Sequence, residues 1–287
     1  MTLSLPPVHP ALKPFIKSYH LIELEAISGF TQMVPASTRC VLNIPCGNEV
    51  CIRLKNKQFT SSEPFLLGLT TQSYSFASST SQLKSFSVEF TDTGFHALFR
   101  EDSQVFTDRC ALVEDTGNQG LSVLSSLLAE AKTASEKITV VERYLLPYLP
   151  PDLDVKGIQR MQAAIHLIRQ HCGNINTVRL AEEACLSERQ FRRLFAEFKG
   201  CSPKYFSRLV RFTHLFTEVM QQQAEVSWVG LAYKYHFHDQ MHLIKDFKHF
   251  SLHTPSHFPL QQFLLSSSLS FPVPENKKSS CKRKINF

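Results

Sequence analysis

The same spacing of residues occurs twice in the C-terminal half of the chain, about fifty residues apart, and any fold for that region must accommodate both copies. The first set is Val178, Leu180, Ala181, Ser187, Phe191, Phe195, Phe198 and Pro203. The second is Val229, Leu231, Ala232, Asp239, Leu243, Phe247, Phe250 and Pro255. The offset is 51 for the first three positions and 52 for the rest, which places one inserted residue in a turn. Each copy reads as a short helix, a tight turn, a capping residue and a second helix with one apolar stripe, the pattern of a helix-turn-helix. Such a unit sets its second helix in a DNA major groove, and two in tandem suit two adjacent grooves.

Charge divides the chain in the same way. Over 287 residues the net charge is +6, but residues 1–154 hold 12 Lys/Arg against 16 Asp/Glu (−4), residues 155–260 hold 14 against 8 (+6), and residues 261–287 hold 5 against 1 (+4). An acidic front and a basic back fit a module kept off the phosphate backbone joined to one drawn to it, although chance clustering of solvated charge gives the same arithmetic. Three prolines in Pro147-Tyr-Leu-Pro-Pro-Asp152 stop a helical pattern. The expected division is therefore 1–150, 155–260 and a basic tail, 261–287. The eight cysteines show neither CxxC nor zinc-like spacing. Met1-Thr-Leu-Ser-Leu-Pro-Pro7 lacks a basic segment followed by an apolar core, and no run approaches the length of a spanning helix. These features predict a cytoplasmic chain with reduced, mostly buried thiols, no membrane association and no cofactor.

The front part reads as β-rich. Residues 40–45 and 50–54 flank Cys46-Gly47-Asn48 and predict a hairpin, and residues 65–74 predict a further strand. Phe86, Val88 and Phe90 alternate with Ser87 and Glu89, the period of a half-buried strand. Helices follow at 94–99 and, as one broken helix or two, at 121–146. Strands first and helices after predict an α+β domain with its helices at the C-terminal end. Beyond the boundary an all-α tandem helix-turn-helix domain is expected. Ile158, Met161, Ile165 and Ile168 mark a packing helix ended by Gly173-Asn174. Residues 177–184 open the first motif, Ser187 caps a helix reaching about Lys199, and Gly200 stops it. Ser202-Pro203 starts a long helix to about Gln223, Trp228 opens the second motif, and Thr254-Pro255 opens a closing segment. The tail, with Lys277, Lys278, Lys282, Arg283 and Lys284 among serines, is expected to be disordered.

Within the helix after Ser187, Phe191, Leu194, Phe195 and Phe198 must face the core, which turns Arg189, Gln190, Arg192 and Arg193 outward. Guanidiniums there can donate bidentate hydrogen bonds to guanine or clamp phosphates, against the alternative of a solvated basic face paired with Glu188. In the second copy the outward set is Gln240, Met241, His242, Ile244 and Lys245. Gln240 suits adenine, Met241 or Ile244 a thymine methyl, and Lys245 phosphate or guanine. The intervening helix, about twenty residues at roughly 1.5 Å each, spans about 30 Å, near the separation of successive groove openings on one face of B-DNA. Lys204, Arg208 and Arg211 on this strut are candidate phosphate contacts or ordinary surface charge.

Residues 158–258 resemble the DNA-binding domain of the AraC/XylS transcription regulators. The likeness runs through Leu186-Ser-Glu-Arg-Gln-Phe-Arg-Arg-Leu-Phe195, Gly200-Cys-Ser-Pro-Lys204, Arg211, Phe237-His-Asp-Gln-Met-His-Leu-Ile-Lys-Asp-Phe-Lys248 and Thr254-Pro255. Leu12-Lys-Pro-Phe-Ile16 and Thr93-Gly-Phe-His-Ala-Leu-Phe99 resemble a sensor domain found ahead of this module in some members. The resemblance implies two reading helices in adjacent major grooves, with base contacts at the outward positions named above. It also implies double-stranded DNA as a partner and is compatible with RNA polymerase, a small-molecule effector and a homodimer; whether the chain is an activator or a repressor, and whether an effector exists, stay open at this point. Where the family carries glycine before Phe237 this chain has His236, so the second turn is expected to be strained.

Two rival readings come from other classes. His238-Asp-Gln-Met-His242 looks like a zinc-peptidase motif, but a third ligand and a glutamate base are missing, and Asp239 falls where a helix cap belongs. An architectural or RNA-binding protein would share the basic helices without needing a large front domain. The reading adopted from the sequence is a non-enzymatic, sequence-specific transcription regulator.

Overall fold

β-branched and aromatic runs punctuated by Gly, Pro and Asn turns build the front of the chain as strands. These are β1 (Thr2–Leu5), β2 (Ile16–Glu25), β3 (Phe30–Val34), β4 (Val41–Pro45), β5 (Val50–Leu54), β6 (Lys57–Ser61), β7 (Phe65–Leu67), β8 (Tyr74–Ser78), β9 (Gln82–Phe90) and β10 (Cys110–Leu112). The structure, a computed structural model, describes residues 2–25, 30–78, 80, 82–152, 154–222, 227–259 and 263. One sheet has the order β1-β2-β9-β4-β7-β10 and the other β3-β8-β5-β6, all pairs antiparallel. The alternation in β9 is realised: Phe86, Val88 and Phe90 face the helices that follow, α1 (Gly94–Phe99), α2 (Leu124–Glu130) and α3 (Ala134–Leu145), and share a core with Leu124, Leu128, Val141 and Leu145. Leu83, of opposite parity, packs with Ile52, Phe65 and Phe76 of the layer between the sheets. Glu89 has the same parity and is buried, and it pairs with the exposed Lys17 (2.7 Å), His20 (3.1 Å) and Arg39 (3.3 Å).

The expected hairpin at 40–54 does not form. β4 pairs with β9 and β7, whereas β5 pairs with β6 and β8, so the connection passes from one sheet to the other. Its residues are stitched to the end of β9: the Cys46 amide donates to the Lys84 carbonyl (2.9 Å), and Asn48 Oδ1 accepts from the Lys84 amide (2.8 Å). Gly47, at φ +80°, supplies the bend. The strand expected at 65–74 is likewise divided: β7 ends at Leu67, Thr70 bridges to Ser37, and Tyr74 begins β8 in the other sheet.

The helices of the C-terminal half follow the sequence closely: α4 (Val155–Gln170), α5 (Thr177–Glu183), α6 (Glu188–Lys199), α7 (Pro203–Gln222), α8 (Trp228–Lys234) and α9 (Gln240–Ser251), closed by a 3-10 turn at Pro255–His257. Their apolar stripes form one cluster, with Phe191, Phe195, Phe206, Phe212, Phe216, Phe247 and Phe250 fully buried. Phe263 is buried in it as well. The basic residues of the expected disordered tail lie outside the described residues. Among the described residues no helix is long and apolar enough to cross a membrane.

Both turns have the same hydrogen-bond pattern. Cys185 and Leu186 donate backbone N–H groups to Glu182 (2.9 Å) and Ala181 (3.0 Å), and His236 and Phe237 donate to Tyr233 (3.2 Å) and Ala232 (2.9 Å). This is the Schellman closure, which needs a left-handed residue at its centre. That residue is Cys185 at φ +52° in one copy and His236 at φ +56° in the other, so neither turn uses glycine. The inserted residue is therefore His238, between Phe237 and the cap Asp239.

An ion cluster around the buried Lys199, with half-buried Asp92 and Arg169, joins the front and back halves. Asp92, just after β9, pairs with Lys199 at the end of α6 (2.9 Å) and with Arg169 of α4 (2.9 Å). Lys199 also donates to the Thr38 carbonyl (3.2 Å). Burial raises the Asp92 pKa, but Lys199 and Arg169 outweigh it and hold the carboxyl well below the usual carboxylate range.

Two outcomes are expected. His236→Gly and Cys185→Gly should each raise stability by about 1 kcal/mol, seen as a higher calorimetric Tm, because glycine relieves the left-handed strain; unchanged or lower midpoints would mean that these turns store none. Asp92→Asn should destabilise by about 3 kcal/mol at pH 7, since it leaves Lys199 buried without a counter-charge. With the folded pKa depressed, the stabilisation is complete above the unfolded value near pH 4 and declines by about 1.4 kcal/mol per pH unit below it. Urea titrations from pH 7 to pH 3 should show the wild-type advantage narrowing on that schedule; a constant gap would refute it.

Candidate nucleic-acid interface

Local chemistry fixes where α6 begins. Ser187 accepts the Gln190 amide through its hydroxyl (3.4 Å), and Gln190 Oε1 accepts the Ser187 amide in return (3.2 Å), a complete capping box. Gln190, expected among the base-reading residues, thus has its side-chain oxygen engaged in the cap, although the residue remains exposed. With Phe191, Phe195 and Phe198 buried, Arg189, Arg192 and Arg193 stand exposed on the opposite side. Arg192 pairs with Glu188 one turn earlier; among the described residues Arg189 and Arg193 form no ion pair.

α9 is started by Asp239, whose Oδ1 accepts the His242 amide at 2.7 Å. That bond and the adjacent His238 ring (3.1 Å) lower the Asp239 pKa. Leu243, Phe247 and Phe250 are fully buried, leaving Gln240, Met241 and Lys245 exposed, with Met241 at 60%. His242 and Ile244 are half-buried. The His242 ring turns back toward the protein: Nδ1 accepts the His238 amide (3.4 Å), and the ring stands edge-on to Phe237 with centroids 5.3 Å apart. His238 lies in the turn, outside the helix.

The strut α7 is 20 residues long. Lys204 is exposed at its start. Arg208 and Arg211 have partners inside the protein. Arg208 donates to Asp246 of α9 (2.7 Å) and lies over the rings of Tyr205 and Phe250. Arg211 lies over Phe237 and donates to the carbonyls of His236 (3.3 Å) and Gly173 (3.4 Å). Asp246, only 3% exposed, is a residue the sequence reading missed. Its signal was a carboxylate in a basic helix, beside the buried stripe residue Phe247.

The front half reaches the C-terminal ends of both α6 and α9. Ser103 Oγ donates to the Phe198 carbonyl (2.9 Å) and Thr107 Oγ1 to that of Gly200 (2.7 Å). The amide and hydroxyl of Ser73 both donate to the Phe250 carbonyl (2.9 and 3.0 Å). Nothing in the local sequence marks these contacts.

Residues 180–260 match the family described as a helix-turn-helix domain, and residues 5–111 match a domain of unknown function, DUF6597. No curated protein matches. Among solved structures, an apo ToxT variant from Vibrio cholerae strain SCE256 is 15% identical, covering 85% of this chain and 97% of that one, with a TM-score of 0.46. A second ToxT structure from Vibrio cholerae is 14% identical over 86% of this chain and 99% of its own, with a TM-score of 0.47. The AraC-like transcriptional activator CuxR is 10% identical over 72% and 83%, with a TM-score of 0.29. The two capped helix-turn-helix units and the domain match over 180–260 support a DNA-binding transcription regulator, with a helix-turn-helix domain behind a DUF6597 domain.

Proposed function

We propose that the chain binds a specific DNA sequence by inserting α6 and α9 into successive major grooves along one face of the duplex. The observation that carries this reading is the exposed arginine face of α6, set opposite fully buried phenylalanines, with a chemically different exposed face at the same place on α9. Arg189, Arg192 and Arg193 supply bidentate donors to guanine or phosphate. Gln190 reads only through the part of its amide that the cap leaves free. On α9, Gln240 and Lys245 supply polar contacts and Met241 an apolar one, with His242 and Ile244 at the margin. Lys204 contacts phosphate. Arg208 and Arg211, first read as phosphate contacts, serve here to hold α9 and its turn against α7. The length of α7, about 30 Å, suits the groove spacing.

Regulation by a signal at the front half is the second part of this reading. Its support is the buried polar layer between the sheets, in which His20 Nδ1 has no hydrogen-bond partner among the described residues. A small molecule bound there should raise the Tm of the wild type and not that of His20→Ala in a thermal-shift screen; an equal shift in both would place the ligand elsewhere.

For DNA reading, Arg192→Ala should relax preference at one base pair by about 1–3 kcal/mol, whereas Lys204→Ala should weaken all sequences alike and reduce the salt slope by about 1. Selection from random DNA followed by sequencing measures the first, and binding titrations across salt concentrations the second. Unchanged sequence preference after joint replacement of Arg189, Arg192 and Arg193 would overturn the assignment.

A further inference from the structure

The contacts that the front half makes with α6 and α9 are connected to each other by backbone hydrogen bonds and by one carboxylate side chain. Ser103 and Thr107 hold the end of α6; Ser73 holds the end of α9. Between these two segments stands Asp108. Its Oδ1 accepts the Thr71 amide and its Oδ2 accepts the Thr71 hydroxyl, both at 2.6 Å. Lys55 pairs with the same carboxylate at 2.5 Å, and the Asp108 amide donates to the Leu69 carbonyl at 2.8 Å. Thr71 in turn accepts, at its carbonyl, the hydroxyl of Tyr205 on α7 (3.2 Å).

A path of hydrogen bonds and short chain segments therefore runs between the two helix ends: Thr107 bonds the Gly200 carbonyl, its neighbour Asp108 bonds Thr71, and two residues on Ser73 bonds the Phe250 carbonyl. The last carbonyls of a helix have no partner within it, so donors supplied from outside fix where the helix ends. The approach at α6 is tight: a Cβ built on Gly200 would lie 2.4 Å from Thr107 Oγ1 and 2.8 Å from the Ser103 carbonyl oxygen. The α7 strut sets the separation of the reading helices along one side. The path through Asp108 adds a second link between their C-terminal ends, beside the start of α7, where Tyr205 meets His249 and Phe250.

We propose that Asp108 is a positioning residue for DNA recognition: through Thr71, Ser73 and Thr107 it fixes the mutual orientation of α6 and α9, and so the spacing of the two half-sites the chain accepts. This rests on the reading of α6 and α9 as DNA-reading helices. Asp108 stands at φ +55°, so Asp108→Gly removes the carboxylate without straining the backbone, and Asp108→Asn keeps an acceptor in a conformation asparagine tolerates.

The experiment uses full-length protein and a duplex site selected by the wild type from random-sequence DNA. Affinity is measured for that site and for the same site with one base pair inserted between its halves, which turns them by about 36° and parts them by about 3.4 Å. The wild type is expected to lose about tenfold or more on insertion, and Asp108→Asn to stay within about threefold of that penalty. Asp108→Gly is expected to lose less than about threefold on insertion. A purely structural loss would weaken both duplexes equally and leave the ratio unchanged. The double variant Ser73→Ala/Thr107→Val removes the hydroxyl donors at both ends of the path while keeping Asp108 and the Ser73 amide, and its insertion penalty should fall in the same direction, which decides the matter if Asp108→Gly does not fold. A wild-type penalty in both variants overturns the role of Asp108 alone. If the wild type selects no sequence at all, the DNA-reading assignment fails and this role fails with it.

Discussion

Phe206, Phe212 and Phe216 are fully buried along α7, and the rings of both reading helices converge on them. Phe195 of α6 meets Phe206 at 5.4 Å, while Phe247 and Phe250 of α9 meet Phe212 at 5.8 and 5.0 Å. Each such side chain contributes roughly 1.5–3 kcal/mol through burial alone. Because one seam serves both helices, moving either of them opens a void against α7, and close-packed interiors resist that strongly. Trp228, Phe258 and Phe263 close the far end, with Trp228 edge-on to Phe247 at 5.5 Å and Phe258 against Phe263 at 4.8 Å. The capped helix starts and the left-handed turns decide where the reading helices begin, and the seam decides where they point.

The same packing changes how the net charge should be understood. Residues 155–260 carry a formal excess of cations, yet several are engaged within the protein. Lys199 and Arg169 neutralise Asp92, Arg208 neutralises Asp246, and Lys234 pairs with Glu218. The cations left on the surface include Arg189, Arg193, Lys204 and Lys245, and these lie on or next to the reading helices. The pairs with Asp246 and Glu218 are already cancelled in the formal charge of this half, while the two cations on Asp92 neutralise a carboxylate of the front half.

What the sequence made legible was short-range. The stripe Phe191-Phe195-Phe198, the cap at Ser187, the stop at Gly200 and the Ser202-Pro203 start all depend on residues within a turn or two, and each helix fell where they place it. Strand pairing is a long-range choice. Cys46-Gly47-Asn48 carries every local sign of a hairpin turn, but its partners are on Lys84, and no spacing rule reveals that. The sequence likewise placed Arg208 and Arg211 on the strut, without showing Asp246 or the His236 carbonyl that engage them. The left-handed residue at 236 was legible only by resemblance; its counterpart at Cys185 was not singled out, though the repeat offset points straight to it.

The one-residue difference between the two units has a consequence for how such a protein can change. Both units fill a common aromatic seam, so their inward residues answer to each other and to α7. The outward residues have few partners inside the molecule: the cap at Gln190, the pairing of Arg192 with Glu188, and on α9 the His242 ring against Phe237 and Ile244 against the core. Drift on either outer face therefore leaves the shared interior undisturbed, and the halves are free to acquire separate vocabularies, as the arginine-rich α6 and the nearly neutral start of α9 already display.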